Sequence, residues 1–136
     1  TGIGILASSV AAKIHKLEVL SHNIEDQLHN TTRFLIMSPT ADHSARSPKM
    51  ITTFVFEVRN IPAALYKVLG GFATNGINMT KLESYMVGGT FTATQFYADI
   101  EGHPNHTAVA QALEELHHYT NKLDILGVYP AADGRS

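Results

Sequence analysis

The residues best placed for chemistry in this sequence form a short turn, Asn60-Ile61-Pro62-Ala63-Ala64-Leu65. A dense apolar segment precedes it and an amphipathic one follows, so a helix is expected to begin inside it. A helix N-terminus exposes unpaired backbone N–H groups and a partial positive charge. That arrangement suits a carboxylate, and the small side chains of Ala63 and Ala64 would admit a ligand close to the backbone. The same spacing also fits an ordinary strand-to-helix turn. The histidines offer a second candidate, in His103 with His106, or Glu114 with His117 and His118. None matches a two-histidine helical zinc pattern, and adjacent His117 and His118 point in different directions on a helix. A polar helix face accounts for them better, and no metal site is expected.

The elements that must position the turn follow from periodicity. Thr52, Phe54, Phe56 and Val58 alternate around Thr53, Glu57 and Arg59, which predicts a strand with one buried face. Pro62 suits the first turn of a helix, where its missing N–H would have no partner. Leu65, Val68, Leu69, Phe72 and Ala73 recur at helical spacing as one apolar stripe. Asn75-Gly76 ends that helix, and Ile77 to Ser84 reads as the next strand. Gly70-Gly71 costs helix stability, about 1 kcal/mol per glycine, a cost that close helix packing or a frayed end would explain.

Val87-Gly88-Gly89-Thr90 is a glycine-rich hairpin turn, too short and wrongly placed for a phosphate loop. Phe91 to Ile100 is the third strand, with Phe96, Ala98 and Ile100 facing the core and Gln95, Tyr97 and Asp99 on the other face. Thr107 to Tyr119 is the second helix of this unit, with Val109, Ala112, Leu113 and Leu116 as its buried stripe. Leu123 to Tyr129 closes the set. The order strand-helix-strand-strand-helix-strand is a split βαβ, ferredoxin-like plan with an antiparallel sheet, of the α+β class.

The chain has 136 residues and is 44% hydrophobic, enough for one packed domain and a segment of another. Formal net charge is −2, from 10 Lys and Arg against 12 Asp and Glu, so nothing favours nucleic acid or an anionic membrane. With 0 cysteines there is no disulfide framework, thiolate metal site or cysteine nucleophile. No apolar run is long enough to span a bilayer, and no signal peptide is recognisable. A piece of a longer cytoplasmic protein is expected.

Residues 1–37 do not read as a complete domain. Ala7 to Ile14 is a short helix with Ser8 or Ser9 available as N-cap, and Ser21 to Gln27 has the composition for another helical turn. Thr32 to Met37, with a continuous apolar run from Phe34, is expected to be a strand buried on both faces. Residues 38–49 form a linker rich in Ser, Thr and Pro, and residues 50–136 form the ferredoxin-like unit.

At several of these positions the chain resembles the C-terminal part of prephenate dehydratase, from the end of the catalytic domain through the ACT regulatory domain. Ala7-Ser8-Ser9-Val10-Ala11-Ala12, Ile24-Glu25-Asp26 and Asn30-Thr31-Thr32-Arg33-Phe34 match the family's Ala-Ser-x-x-Ala-Ala, Ile-x-Asp and Asn-x-Thr-Arg-Phe. Ala63-Ala64-Leu65 stands where the family has Gly-Ala-Leu. Gly76-Ile77-Asn78-Met79-Thr80 resembles Gly-Ile-Asn-Leu-Thr, and Glu83-Ser84-Tyr85-Met86 stands for Glu-Ser-Arg-Pro. The departures are Ala63 for glycine and Tyr85-Met86 for Arg-Pro. The similarity runs from Ala7 to Pro130.

The resemblance implies conversion of prephenate to phenylpyruvate, water and CO2 in L-phenylalanine biosynthesis, without a cofactor. Thr32, Arg33 and Phe34 would contribute to the catalytic site: Thr32 as hydrogen-bond donor to the departing hydroxyl, Arg33 as a carboxylate grip or a structural ion pair. The fragment by itself is expected to lack turnover. The ACT domain would bind L-phenylalanine as feedback effector where two subunits meet in a homodimer or homotetramer. Asn60, Ile61, Pro62, Ala63, Ala64 and Leu65 would come from one subunit, Glu83 and Ser84 from the other. Two alternatives remain: an ACT-type amino-acid sensor without enzyme activity, and the same chemistry on arogenate.

Overall fold

The computed structural model describes residues 2–27, 32–42, 44, 46–59, 61–89 and 93–132. The chain divides into two compact units, residues 1–37 and 38–136.

In the first unit, α1 (Ser9–His15) starts where the sequence supplies a cap. The Ala11 N–H donates to Ser8 Oγ at 3.2 Å. It ends at Lys16 in the left-handed conformation (φ 53°), whose N–H returns to the carbonyls of Ala12 and Lys13. The expected helical turn over Ser21 to Gln27 is absent; this stretch holds only isolated bends. The doubly buried strand expected over 32–37 is absent too. Phe34 is 85% exposed and Ile36 fully so. An apolar run becomes a strand only when a neighbour takes its N–H and C=O groups, and no described residue pairs with this one.

The second unit has the expected plan. β1 (Met50–Val58), α2 (Ala64–Thr74), β2 (Met79–Met86), β3 (Ala93–Glu101), α3 (Thr107–Tyr119) and β4 (Thr120–Pro130) follow in order. The sheet has 4 strands in the order β2-β3-β1-β4 and every pairing is antiparallel. β2 and β4 are therefore the edges. Phe54 and Phe56 of β1 and Phe96, Ala98 and Ile100 of β3 share one face. They pack against Val68 and Phe72 of α2 and Val109, Ala112, Leu113 and Leu116 of α3. Phe54 stacks on Phe72 with ring centroids 5.9 Å apart, and Phe56 on Phe96 at 5.3 Å. The α3 stripe is the expected one. That of α2 is rotated: Gly71 is buried, whereas Ala73 is exposed.

That rotation explains one glycine of the pair. A Cβ on Gly71 would lie 2.8 Å from Glu115 Oε2 and 3.2 Å from Glu115 Cβ, so α2 and α3 are in close contact there; Gly70 faces open space. Gly88 and Gly89 both have positive φ (68° and 74°), as a tight hairpin turn of the primed type requires. Of the strand expected over Phe91 to Ile100, Phe91 and Thr92 lie outside the described residues, as does Thr90; β3 is described from Ala93 to Glu101.

The opposite sheet face is not simply polar and wet. Thr53 and Asp99, both expected on it, are 4% and 0% exposed. Thr53 Oγ1 donates to Asp99 Oδ1 at 2.6 Å and lies 2.8 Å from the Tyr129 hydroxyl. Ile51, from the same face, is also buried, so this end of the face is a second, smaller packed layer.

Candidate functional site

The turn after β1 is more specific than the sequence implied. The Ala64 N–H donates to the Ile61 carbonyl at 3.2 Å, and Ala63 adopts φ 58°, ψ 23°. A four-residue turn with proline second and a left-handed third residue is of type II, which favours glycine at that third place. Pro62 therefore belongs to the turn that precedes the helix, not to the first helical turn, and Ala63 is the N-cap. The glycine of the resembling family has a physical reason at this position, and Ala63 meets it at a cost of about 1 kcal/mol.

No side chain of a described residue caps α2. The first-turn N–H groups of Leu65 and Tyr66 donate to no described residue. Ile61, Pro62 and Ala63 are exposed, Leu65 is half-buried and Ala64 is buried at the helix base. Asn60 lies outside the described residues. The surface just before α2 is thus lined by backbone and small side chains, with donors directed at it.

Strand register places the β2 residues. Ser84 pairs with Phe96, whose partner in β1 is Phe56, near the end of β1 that leads into the turn. Cross-strand partners share a face, so Ser84 lies on the helix side of the sheet. Glu83 pairs with Tyr97 and lies on the opposite side. Its carboxylate is held there from both directions. The Tyr85 hydroxyl donates to Glu83 Oε2 at 2.8 Å, and Lys81 Nζ lies 3.0 Å from Glu83 Oε1. Lys81 also sits over the Tyr97 ring, 4.8 Å from its centroid. The Tyr85 hydrogen bond, then Lys81, lower the Glu83 pKa from its ordinary value; the same bond raises that of Tyr85. The two β2 residues paired in the expected site thus have side chains on opposite faces of one chain. Alternation along a strand already contains this, since adjacent residues cannot share a face.

Thr32, Arg33 and Phe34 lie in irregular, exposed chain of the first unit. Thr31 falls outside the described residues. Of the histidines, His103 departs from the polar-face account. It is buried in the turn before α3, where its Nδ1 accepts from the Asn105 N–H at 3.0 Å. His106, His117 and His118 are exposed. No cluster of three or more metal-ligating side chains occurs among the described residues. No helix among them is long and apolar enough to cross a membrane.

A family model described as prephenate dehydratase matches residues 1–42. The bifunctional N-acyl-homoserine lactone acylase/prephenate dehydratase of Komagataeibacter europaeus is 52% identical over 96% of this chain and 47% of its own length. The bifunctional chorismate mutase/prephenate dehydratase of Aquifex aeolicus is 40% identical over 95% of this chain and 35% of its own. The chain thus spans about half, or less, of the curated relatives it matches. Among solved structures, prephenate dehydratase in complex with L-Phe from Arthrobacter aurescens superposes with a TM-score of 0.62 at 31% identity, over 71% of this chain and 32% of that one. Residues 1–42 thus match the prephenate dehydratase family, and the chain as a whole is similar to the C-terminal part of curated prephenate dehydratases.

Proposed function

We propose that the protein containing this chain is a prephenate dehydratase whose ferredoxin-like unit binds L-phenylalanine and feeds back on the reaction. The observation that carries the effector assignment is the type II turn at Ile61 to Ala64, which opens α2 with uncapped donors. It belongs to a fold matched at 31% identity by a relative solved with L-Phe. The amino acid's carboxylate would meet the Leu65 and Tyr66 N–H groups, at the positive end of α2. Ile61, Pro62, Ala63, Ala64 and Leu65, with Asn60, would form one wall. Ser84 of a second copy, on the helix side of its sheet, would form the other in a homodimer or homotetramer, with Glu83 turned to the opposite face of that strand. Inhibition requires tighter effector binding to the inactive arrangement than to the active one.

In the reaction, the C–C bond to the ring carboxylate breaks and CO2 departs. Its electron pair completes the aromatic ring as the ring C–O bond breaks. Hydroxide leaves poorly, so it departs as water, and the proton must be supplied as the bond opens. Thr32 would donate the hydrogen bond to that oxygen, directly or as a relay, Arg33 would hold a substrate carboxylate through its planar fork, and Phe34 would stand beside them.

The test is turnover of prephenate by the full-length protein, with and without L-phenylalanine, alongside Thr32→Val. The expected outcome is inhibition by L-phenylalanine and loss of about 100-fold or more in kcat for the variant. Unchanged turnover in Thr32→Val would remove Thr32 from the mechanism. Preferred turnover of arogenate would reassign the substrate, and a non-enzymatic sensor would show no turnover of either. A lactone of the kind named for the Komagataeibacter relative is tested in the same preparation.

A further inference from the structure

A run of polar side chains crosses the sheet on the face opposite the helices. Lys81 of β2 is the cross-strand partner of Asp99 in β3, and Asp99 is that of Thr53 in β1. Thr53 in turn faces Gly127 of β4. A Cβ on that glycine would lie 3.7 Å from Tyr129 Cδ1, so the Tyr129 ring leans back over the place a side chain would fill. Its hydroxyl thereby comes within 2.8 Å of Thr53 Oγ1.

The hydrogen bonds in this run have one direction. Thr53 carries a single hydroxyl proton, and that proton goes to Asp99 Oδ1 at 2.6 Å. The bond between Thr53 and Tyr129 therefore needs the tyrosine proton. Thr53 and Asp99 are both buried, where a polar group that loses its partner is costly. A change at Asp99 is thus felt at Tyr129 and is not taken up by water. Lys81 brings the run to the edge strand. Its ammonium lies 3.0 Å from Glu83 Oε1. The Glu83 carboxyl, held first by Tyr85 and then by Lys81, feels the Asp99 charge as well.

The two ends of the run lie at different places in the unit. β2 carries Ser84, which belongs to the effector site proposed above, and the inference rests on that reading. At the other end Met50 pairs with Pro130, and the Ala131 N–H donates to the Lys49 carbonyl at 2.9 Å. Tyr129 therefore sits where residues 38–49 join the sheet. Met50, Ile51, Thr52 and Thr53 are buried in succession, whereas a strand with one open face would bury alternate residues only. This corner is packed on both faces, so it shifts between discrete arrangements and does not bend smoothly.

We propose that Lys81, Asp99, Thr53 and Tyr129 form the regulatory relay of this unit. Effector binding beside β2 alters how Lys81 meets Asp99, and the hydroxyl chain carries that change to the root of residues 38–49. Thr53 and Tyr129 touch neither effector nor substrate; they act by positioning.

The test uses the full-length protein and separates binding from its consequence. L-phenylalanine binding is measured by calorimetry, and inhibition as the loss of prephenate turnover at saturating L-phenylalanine. The native protein is expected to lose about tenfold or more in kcat/KM. Tyr129→Phe and Thr53→Val are expected to lose less than about twofold, with the uninhibited turnover unchanged and the dissociation constant within about threefold of native. Thr53→Ser keeps the hydroxyl and is expected to restore inhibition, which a merely structural role for the threonine methyl would not allow. Tyr129→Phe removes one oxygen and decides the matter if Thr53→Val does not fold. Full inhibition in Tyr129→Phe overturns the relay and leaves the effector site standing. Loss of L-phenylalanine binding in Tyr129→Phe also overturns it, since the residue would then support the site itself. A native protein that binds no L-phenylalanine overturns the effector reading, and the relay with it.

Discussion

Tyr85 donates its hydroxyl proton to Glu83 Oε2 at 2.8 Å, two residues along the same strand and on the same face. Tyr85 stands where the family pattern has arginine, so a neutral donor has replaced a charged one beside the glutamate. The bond leaves Glu83 ionised more readily than an ordinary carboxylate. Tyr85→Phe is therefore expected to raise the Glu83 pKa, read by carboxyl-carbon NMR titration. The sign for stability follows from the lowered folded value. The contribution of Glu83 is complete above its ordinary value of 4.5 and disappears as pH falls through the folded pKa. An unchanged Glu83 titration in Tyr85→Phe would contradict the contact.

Ala63 occupies a backbone conformation that suits glycine, with φ 58°. Ala63→Gly is expected to stabilise the second unit by about 0.5–1 kcal/mol, the relief of strain exceeding the entropy that glycine adds to the unfolded chain. Chemical denaturation measures this as a higher midpoint at unchanged slope. Destabilisation would mean that the turn is not of the stated type.

The glycine pair of α2 should respond unequally. Gly70→Ala meets open space and gains helix propensity, a stabilisation of about 1 kcal/mol. Gly71→Ala gains the same propensity but presses on Glu115, which also accepts a hydrogen bond from Asn75 Nδ2. It is expected to give no net stabilisation. Equal effects in paired denaturation curves would show that the α2–α3 contact is looser than described.

Thr53→Val keeps the shape of the side chain and removes the donor to Asp99 Oδ1. Both groups are buried, so a loss of about 1–3 kcal/mol is expected.

The sequence revealed most where one periodicity governed a whole element. The α3 stripe of Val109, Ala112, Leu113 and Leu116 and the β3 row of Phe96, Ala98 and Ile100 came from spacing alone, because a single buried face dictated both. Phe34 to Met37 failed because a continuous apolar run does not state what lies beside it. Thr53 and Asp99 were hidden because they are polar; Ile51, alternating with the Phe54 face, was the available sign that the other side is also packed. Ala63 was hidden because alanine carries no mark of a left-handed position, and only the Ile-Pro before it pointed to the turn. Within the candidate site, the turn from Ile61 to Leu65 was legible. The separation of Glu83 from Ser84 was written in their adjacency but was overridden by their closeness in sequence.

The central claim is that the turn before α2 takes L-phenylalanine. Thermal unfolding of the chain with each aromatic amino acid tests it most directly. L-phenylalanine at about 100 times its dissociation constant should stabilise the native state by about 2.7 kcal/mol, a rise of several degrees in Tm, and tyrosine and tryptophan should act more weakly. A shift with tyrosine or tryptophan and none with L-phenylalanine would contradict the assignment.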